Sequence, residues 1–192
     1  MNRQWTPLSR LAGLVVGVVA AAALGGSVAA SAATVSASHT GARVAACATS
    51  QLRVWYGEPP SGTAGSFYLA VEFSDIGTTS CTLYGFPGVS GIKAGGAQLG
   101  TPASWDHRIT PRTVLLTPGS TSHVILQIVD VANYPANICG PTQAFGLRIY
   151  PPNQKASVEL PFAFEACAKS GANYLRVDPV SAGVGIPLYT SN

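Results

Sequence analysis

Residues 101–112, TPASWDHRITPR, gather the most reactive side chains of the chain into one loop, with Ser104, Trp105, Asp106, His107 and Arg108 in succession. A serine, an acid and an imidazole are the parts of an acyl-transfer triad. That chemistry needs the serine Oγ on one ring nitrogen, the acid on the other, and an oxyanion hole facing the carbonyl. Asp106 and His107 are neighbours and diverge in an extended chain, and Ser104 has no G-x-S-x-G context. The loop therefore reads as solvated, with Trp105 laid on a sheet edge, and as a contact surface before a catalytic one. The remaining acids of interest, Glu58 and Asp75, stand alone in their loops, as Asp106 does. Glycoside hydrolysis needs two carboxylates a few ångströms apart. His39, His107 and His123 are widely spaced, whereas a metal centre needs several convergent ligands. No catalytic residue, metal or cofactor is expected.

Cysteine is the other reactive type. Cys47, Cys81, Cys139 and Cys167 contain no C-x-x-C pair, which argues against a zinc or redox centre. An even number in an exported chain reads as two disulfides. Spacing alone leaves three pairings open. Cys47–Cys81 and Cys139–Cys167 are the expected pair, because each closes a local loop between segments able to lie side by side.

The elements that must position these residues are short strands. Gln51–Tyr56 alternates, and a Pro/Gly-rich loop, 58–65, ends it. From Ser66, Phe67, Leu69, Val71 and Phe73 point one way while Tyr68, Ala70 and Glu72 point the other. That period of two marks a half-buried strand. A polar turn, 75–80, leads to a short strand at Cys81 and Leu83. Gly85-Phe86-Pro87-Gly88 is expected to turn, with Gly88 at positive φ. Gly95-Gly96 predicts a hairpin, and Thr117-Pro118-Gly119-Ser120 a type II corner between strands at 113–116 and 122–129. There Val124, Leu126 and Ile128 form the core face and His123 faces out. Residues 130–143 read as a connection with one helical turn. Further strands are expected with Phe145, Leu147 and Ile149 on one face, at Val158–Leu160 before Pro161, at Phe162–Phe164, at 174–177, and as a weak edge at 184–188. No stretch has a convincing helical period. Many short strands divided by Pro/Gly turns predict an all-β domain, an immunoglobulin-like β-sandwich, with a barrel as the competing architecture.

Residues 1–32 are read as a cleaved secretory signal. Arg3 and Arg10 precede the apolar run Leu11–Leu24, and Ala30-Ser31-Ala32 offers an A-x-A cleavage pattern. The run is short for a membrane span and no basic cluster follows it, so no transmembrane segment is expected after cleavage. Residues 33–46 are a small, polar, flexible lead-in, and residues 47–192 form one domain. Of the 11 basic and 8 acidic residues the signal takes two arginines and no acid, leaving a net charge of +1. No basic footprint for nucleic acid remains.

The run Cys81-Thr-Leu-Tyr-Gly-Phe-Pro-Gly-Val89, the turn Leu116-Thr-Pro-Gly-Ser120, Leu147-Arg-Ile-Tyr-Pro-Pro152 and the four cysteines together resemble a domain family of unknown function. That family occurs in secreted and lipid-anchored proteins of actinobacteria, and the likeness covers about residues 45–190. The resemblance implies an immunoglobulin-like sandwich outside the cytoplasm, with the four cysteines and the Pro87-Gly88 turn matching family positions. It carries no catalytic residues.

The function expected is a non-enzymatic secreted or cell-envelope domain that binds a protein, glycan or lipid of the envelope through loops at one end of the fold. Tyr84, Phe86, Trp105 and Tyr134 are the candidate ligand residues. A structural cell-wall-associated domain is the alternative, and an extracellular hydrolase a distant third.

Overall fold

Alternating apolar positions between turn residues produce strands throughout the computed structural model, which describes residues 43–57, 60–63 and 65–185. The expected signal peptide, the weak edge strand beyond Gly185, and Glu58 lie outside the described residues. Thirteen strands are described: β1 (Leu52–Tyr56), β2 (Ser61–Thr63), β3 (Ser66–Asp75), β4 (Cys81–Leu83), β5 (Gly88–Ile92), β6 (Gln98–Leu99), β7 (Ser104–Trp105), β8 (Val114–Leu116), β9 (Thr121–Val129), β10 (Pro141–Tyr150), β11 (Val158–Cys167), β12 (Leu175–Val177) and β13 (Ser181–Ala182). The connection after β9 holds a 3-10 turn, Val131–Asn133, and a one-turn helix, α1 (Ala136–Cys139). The domain is all-β.

The strands form three sheets. The largest runs β1-β3-β9-β12-β7, with β2 added to β3 and β13 to β9. A second runs β11-β10-β5-β6, and β4 pairs with β8 alone. Pairing is antiparallel except between β12 and β7. Leu69, Val71 and Phe73 of β3 and Val124, Leu126 and Ile128 of β9 share one core cluster with Val89 of β5, Leu147 and Ile149 of β10 and Phe164 of β11. The inward faces of the two larger sheets thus bury apolar surface together.

Both disulfides form as expected, Cys47–Cys81 and Cys139–Cys167. The first ties the segment before β1 to β4, where the Cys47 N–H also donates to the Thr82 carbonyl at 2.9 Å. The second ties α1 to the end of β11.

Four local expectations are corrected. Positive φ falls on Gly85 (94°), whereas Gly88 opens β5 opposite Tyr150, a ladder position that needs extended backbone. Phe145 does not share a face with Leu147 and Ile149. A register shift between Ala144 and Gly146 turns Phe145 outward and Ala144 into the core. β11 runs through Pro161 without a break, because it is an edge strand of its sheet and Pro161 lies opposite Gly146 at that irregularity. β3 is covered on both faces, with Ala70 and Glu72 as inaccessible as Leu69 and Val71, and His123 of β9 is nearly so.

The cover is the segment after β12. β13 pairs with Ser122 and His123 of β9, and the chain then crosses the outward face of the large sheet. His123 Nδ1–H donates to the Gly183 carbonyl at 2.9 Å, and the Gly185 N–H donates to Glu72 Oε1 at 2.9 Å. A Cβ on Gly185 would lie 2.7 Å from the His123 ring, so only glycine lets the strap lie this close.

Candidate functional site

Trp105 ends β7, which joins the large sheet through its parallel pairing to β12, with Val177 opposite Trp105. The Asp106 N–H continues this attachment, donating to the Val177 carbonyl at 2.9 Å. The chain then turns back on the Asp106 carboxylate. Oδ1 accepts the Arg108 N–H at 3.0 Å and Nε at 2.8 Å, and a second guanidinium nitrogen closes on Oδ2. This hydrogen bonding to Arg108 holds the Asp106 carboxyl down at about 2, so the pair stays ionised under ordinary conditions.

Phe86 comes from the connection between β4 and β5, placed by the Gly85 turn. The Val180 N–H donates to the Gly85 carbonyl at 2.9 Å and pins that turn to the segment after β12. Phe86 stacks on Trp105 with ring centres 5.2 Å apart and planes 7° from parallel. The His107 ring meets both edge-on, at 5.4 Å from Phe86 and 6.1 Å from Trp105. The indole N–H donates to the Pro87 carbonyl at 3.3 Å. Trp105 is therefore held on one face and at its nitrogen, yet stays 50% exposed. Tyr84, on the same connection, is also exposed, and its carbonyl accepts from the Asn153 side chain at 2.9 Å.

Of the four expected ligand residues, the fold thus stacks Phe86 with Trp105 and leaves Tyr84 open on the same connection. Tyr134 is held elsewhere. Its ring packs against the core and its hydroxyl donates to the Asn173 carbonyl at 2.9 Å. His107 is the partner that sequence reasoning set aside, because an edge-on contact with Phe86 depends on a connection some twenty residues upstream.

The serine, acid and imidazole of this loop each have a different engagement. Ser104 Oγ donates to the Leu175 carbonyl at 3.2 Å, Asp106 holds Arg108, and His107 packs on the two rings. Asp75 closes its own turn, accepting the Gly77 N–H at 2.8 Å. Among the described residues no cluster of three or more His, Cys, Asp or Glu side chains could hold a metal ion.

Beyond Arg108 the loop borders a cleft of about 620 Å³. Arg108, Thr110, Arg112 and Thr113 are among its polar lining residues, and Leu115 and Val180 among its apolar ones. Asp178 sits close to Asp106 and Arg108. Burial, with the Asp106 charge beside it, pushes its carboxyl up to about 6. A second groove of about 550 Å³ opens between Phe67, Val129 and Val131 on one side and Phe162 and Phe164 on the other. The alternation of Phe162 and Phe164 puts them on one face of β11, but only the packing of the two larger sheets sets them opposite Phe67.

A family model described as "Domain of unknown function (DUF4232)" matches residues 47–181, and the chain belongs to that family. The matched span includes all four cysteines, Phe86, Trp105 and Tyr134. No curated protein matches the chain. No helix among the described residues is long and apolar enough to cross a membrane.

Proposed function

We propose that this DUF4232 domain is a non-enzymatic binding module that works outside the cytoplasm and takes a protein, glycan or lipid of the cell envelope on the surface around Trp105. In this reading the two larger sheets are the layers of an immunoglobulin-like sandwich, and Tyr84, Phe86, Trp105 and His107 form a recognition surface at the edge of that scaffold. The observation that carries it is the indole of Trp105, stacked on Phe86 and hydrogen-bonded to Pro87, with half its surface still in water. Holding a large apolar ring rigid and exposed forgoes burial energy, and a rigid aromatic anchor lowers the entropy cost of binding. An extracytoplasmic setting is supported by the signal-like N-terminus and by two disulfides, which persist in oxidising compartments.

The test is capture from envelope extract with the wild-type domain and with a Phe86→Ala, Trp105→Ala double variant. The reading expects at least one component to be retained by the wild type and lost by the variant, with the thermal midpoint showing that the variant is folded. Identical profiles would remove this surface from the case and favour a structural wall-associated role.

A further inference from the structure

The chemistry around Trp105 narrows the ligand, and this narrowing rests on the reading above. We propose that the surface binds an anionic saccharide, with a sugar ring lying on the open part of the Trp105 indole and its carboxylate or phosphate held by Arg108 and Arg112.

The platform comes first. A pyranose has a C–H face and a hydroxyl rim. The C–H bonds carry partial positive charge and pack on the negative face of an aromatic ring, while the hydroxyls reach polar neighbours. Trp105 offers a ring of the right size, fixed by its stack on Phe86 and its bond to the Pro87 carbonyl. A ring already held in place loses little freedom when the sugar arrives.

The sign of the charge comes second. The cleft that starts at Arg108, three residues past Trp105, is lined by two arginines, two threonines and a serine among its polar residues, and no carboxylate lines it. Asp106 is only 6% exposed and is turned toward Arg108. The Arg108 side chain is itself 77% exposed, so Asp106 fixes its orientation while leaving donors in water. Asp106 takes Nε and one terminal nitrogen, and the outward-facing terminal N–H groups remain as a planar pair suited to a carboxylate or phosphate. Arg112, four residues further on, also lines the cleft and is exposed. Thr110 and Thr113 supply hydroxyls of the kind that sugar hydroxyls meet.

The test uses the secreted, disulfide-bonded chain and isothermal titration with tetragalacturonate, its fully methyl-esterified form, and galactose 6-phosphate. The ester keeps the sugar and removes the charge. The acid form is expected to bind, and the ester at least about tenfold more weakly. Arg112→Gln should weaken binding of the acid severalfold toward that of the ester and leave the ester unchanged. This variant is the informative one, because Arg108→Gln also frees Asp106 and disturbs the loop. Trp105→Ala should abolish binding of both forms. Galactose 6-phosphate distinguishes the anion source: binding by it, lost in Arg112→Gln, extends the site to phosphates, and a failure to bind restricts it to carboxylates, either result upholding the proposal when the uronate binds. Equal affinity for acid and ester would overturn the anionic half of the inference. If no saccharide binds while capture from envelope extract still depends on Trp105, the inference fails and the proposed function stands. Trp105-dependent retention on phosphatidylglycerol vesicles without saccharide binding would assign the surface to lipid and overturn it as well. Envelope capture that is indifferent to Trp105→Ala would sink both.

Discussion

Glu72 shows how far a single side chain can depart from its sequence pattern. It lies on the outward face of β3, opposite Trp55 and His123, yet the strap after β13 leaves it fully buried. Oε1 accepts the Gly185 N–H, and Oε2 has no hydrogen-bond partner among the described residues. Burial outweighs that one bond and raises the carboxyl from 4.5 to about 7. Because the folded value lies above the unfolded one, the folded chain binds the extra proton between pH 4.5 and 7. Stability attributable to Glu72 is intact below that window and falls as pH rises through it, by on the order of 3 kcal/mol. Glu72→Gln should therefore flatten the stability profile and be the more stable protein at pH 8. Urea midpoints from pH 4.5 to 8 measure this, and parallel curves for the two proteins would contradict it.

Among the elements, the contact of β5 with β12 depends on a missing side chain. Gly91 of β5 lies against Tyr174, which immediately precedes β12 and is wholly buried, with its carbonyl accepting the Val129 N–H at 2.8 Å. A Cβ at Gly91 would stand 2.7 Å from the tyrosine oxygen and 3.3 Å from the Phe164 ring. Gly91→Ala should cost about 1–3 kcal/mol through overpacking. Tyr174→Phe removes the clashing oxygen along with its 3.4 Å contact to the Leu99 carbonyl. The double variant should then be less destabilised than the sum of the two single ones, with a coupling of about 1 kcal/mol. Strict additivity in chemical denaturation would place the obstruction elsewhere. The same element-level dependence explains Phe145. Its alternation with Leu147 and Ile149 is plain in the sequence, but the register shift on β10 belongs to the pairing with β11 and has no signal in β10 alone.

At the scale of the whole molecule, the disulfides hold segments that the sheets secure least. Cys47–Cys81 spans 34 residues and fixes the small β4–β8 sheet to the start of the domain. Cys139–Cys167 spans 28 residues and fixes the α1 connection to β11. Each closes a loop whose unfolded entropy corresponds to about 3–4 kcal/mol. Replacing either pair with alanines should lower the free energy of unfolding by that order, read from urea denaturation under non-reducing conditions. A loss under about 1 kcal/mol would mean that the sheets hold these segments unaided. The Cys47–Cys81 variant also bears on the binding surface, because β4 leads directly into the Phe86 connection. Reduced affinity in a variant that is still fully folded at the assay temperature would show that this disulfide positions the Trp105 surface.

The local parts of this protein are legible along the chain. Alternation places Leu69, Val71 and Phe73 in the core with Phe67 packed against it, Gly119 takes the positive φ of its corner, and the cysteines join in the pairs that close short loops. These follow from the two-residue period of a strand, the lack of a Cβ in glycine and the short reach of nearby thiols. What the tertiary structure decided is which exposed-looking residues meet. Phe86 and Trp105 stack across nineteen residues of chain, Gly185 covers Glu72 from more than a hundred residues away, and Phe162 finds Phe67 on another sheet. Strand periodicity assigns a face to each of these side chains, but a face has no partner until the sheets pack and the strap crosses, and neither event is encoded within the span of one strand.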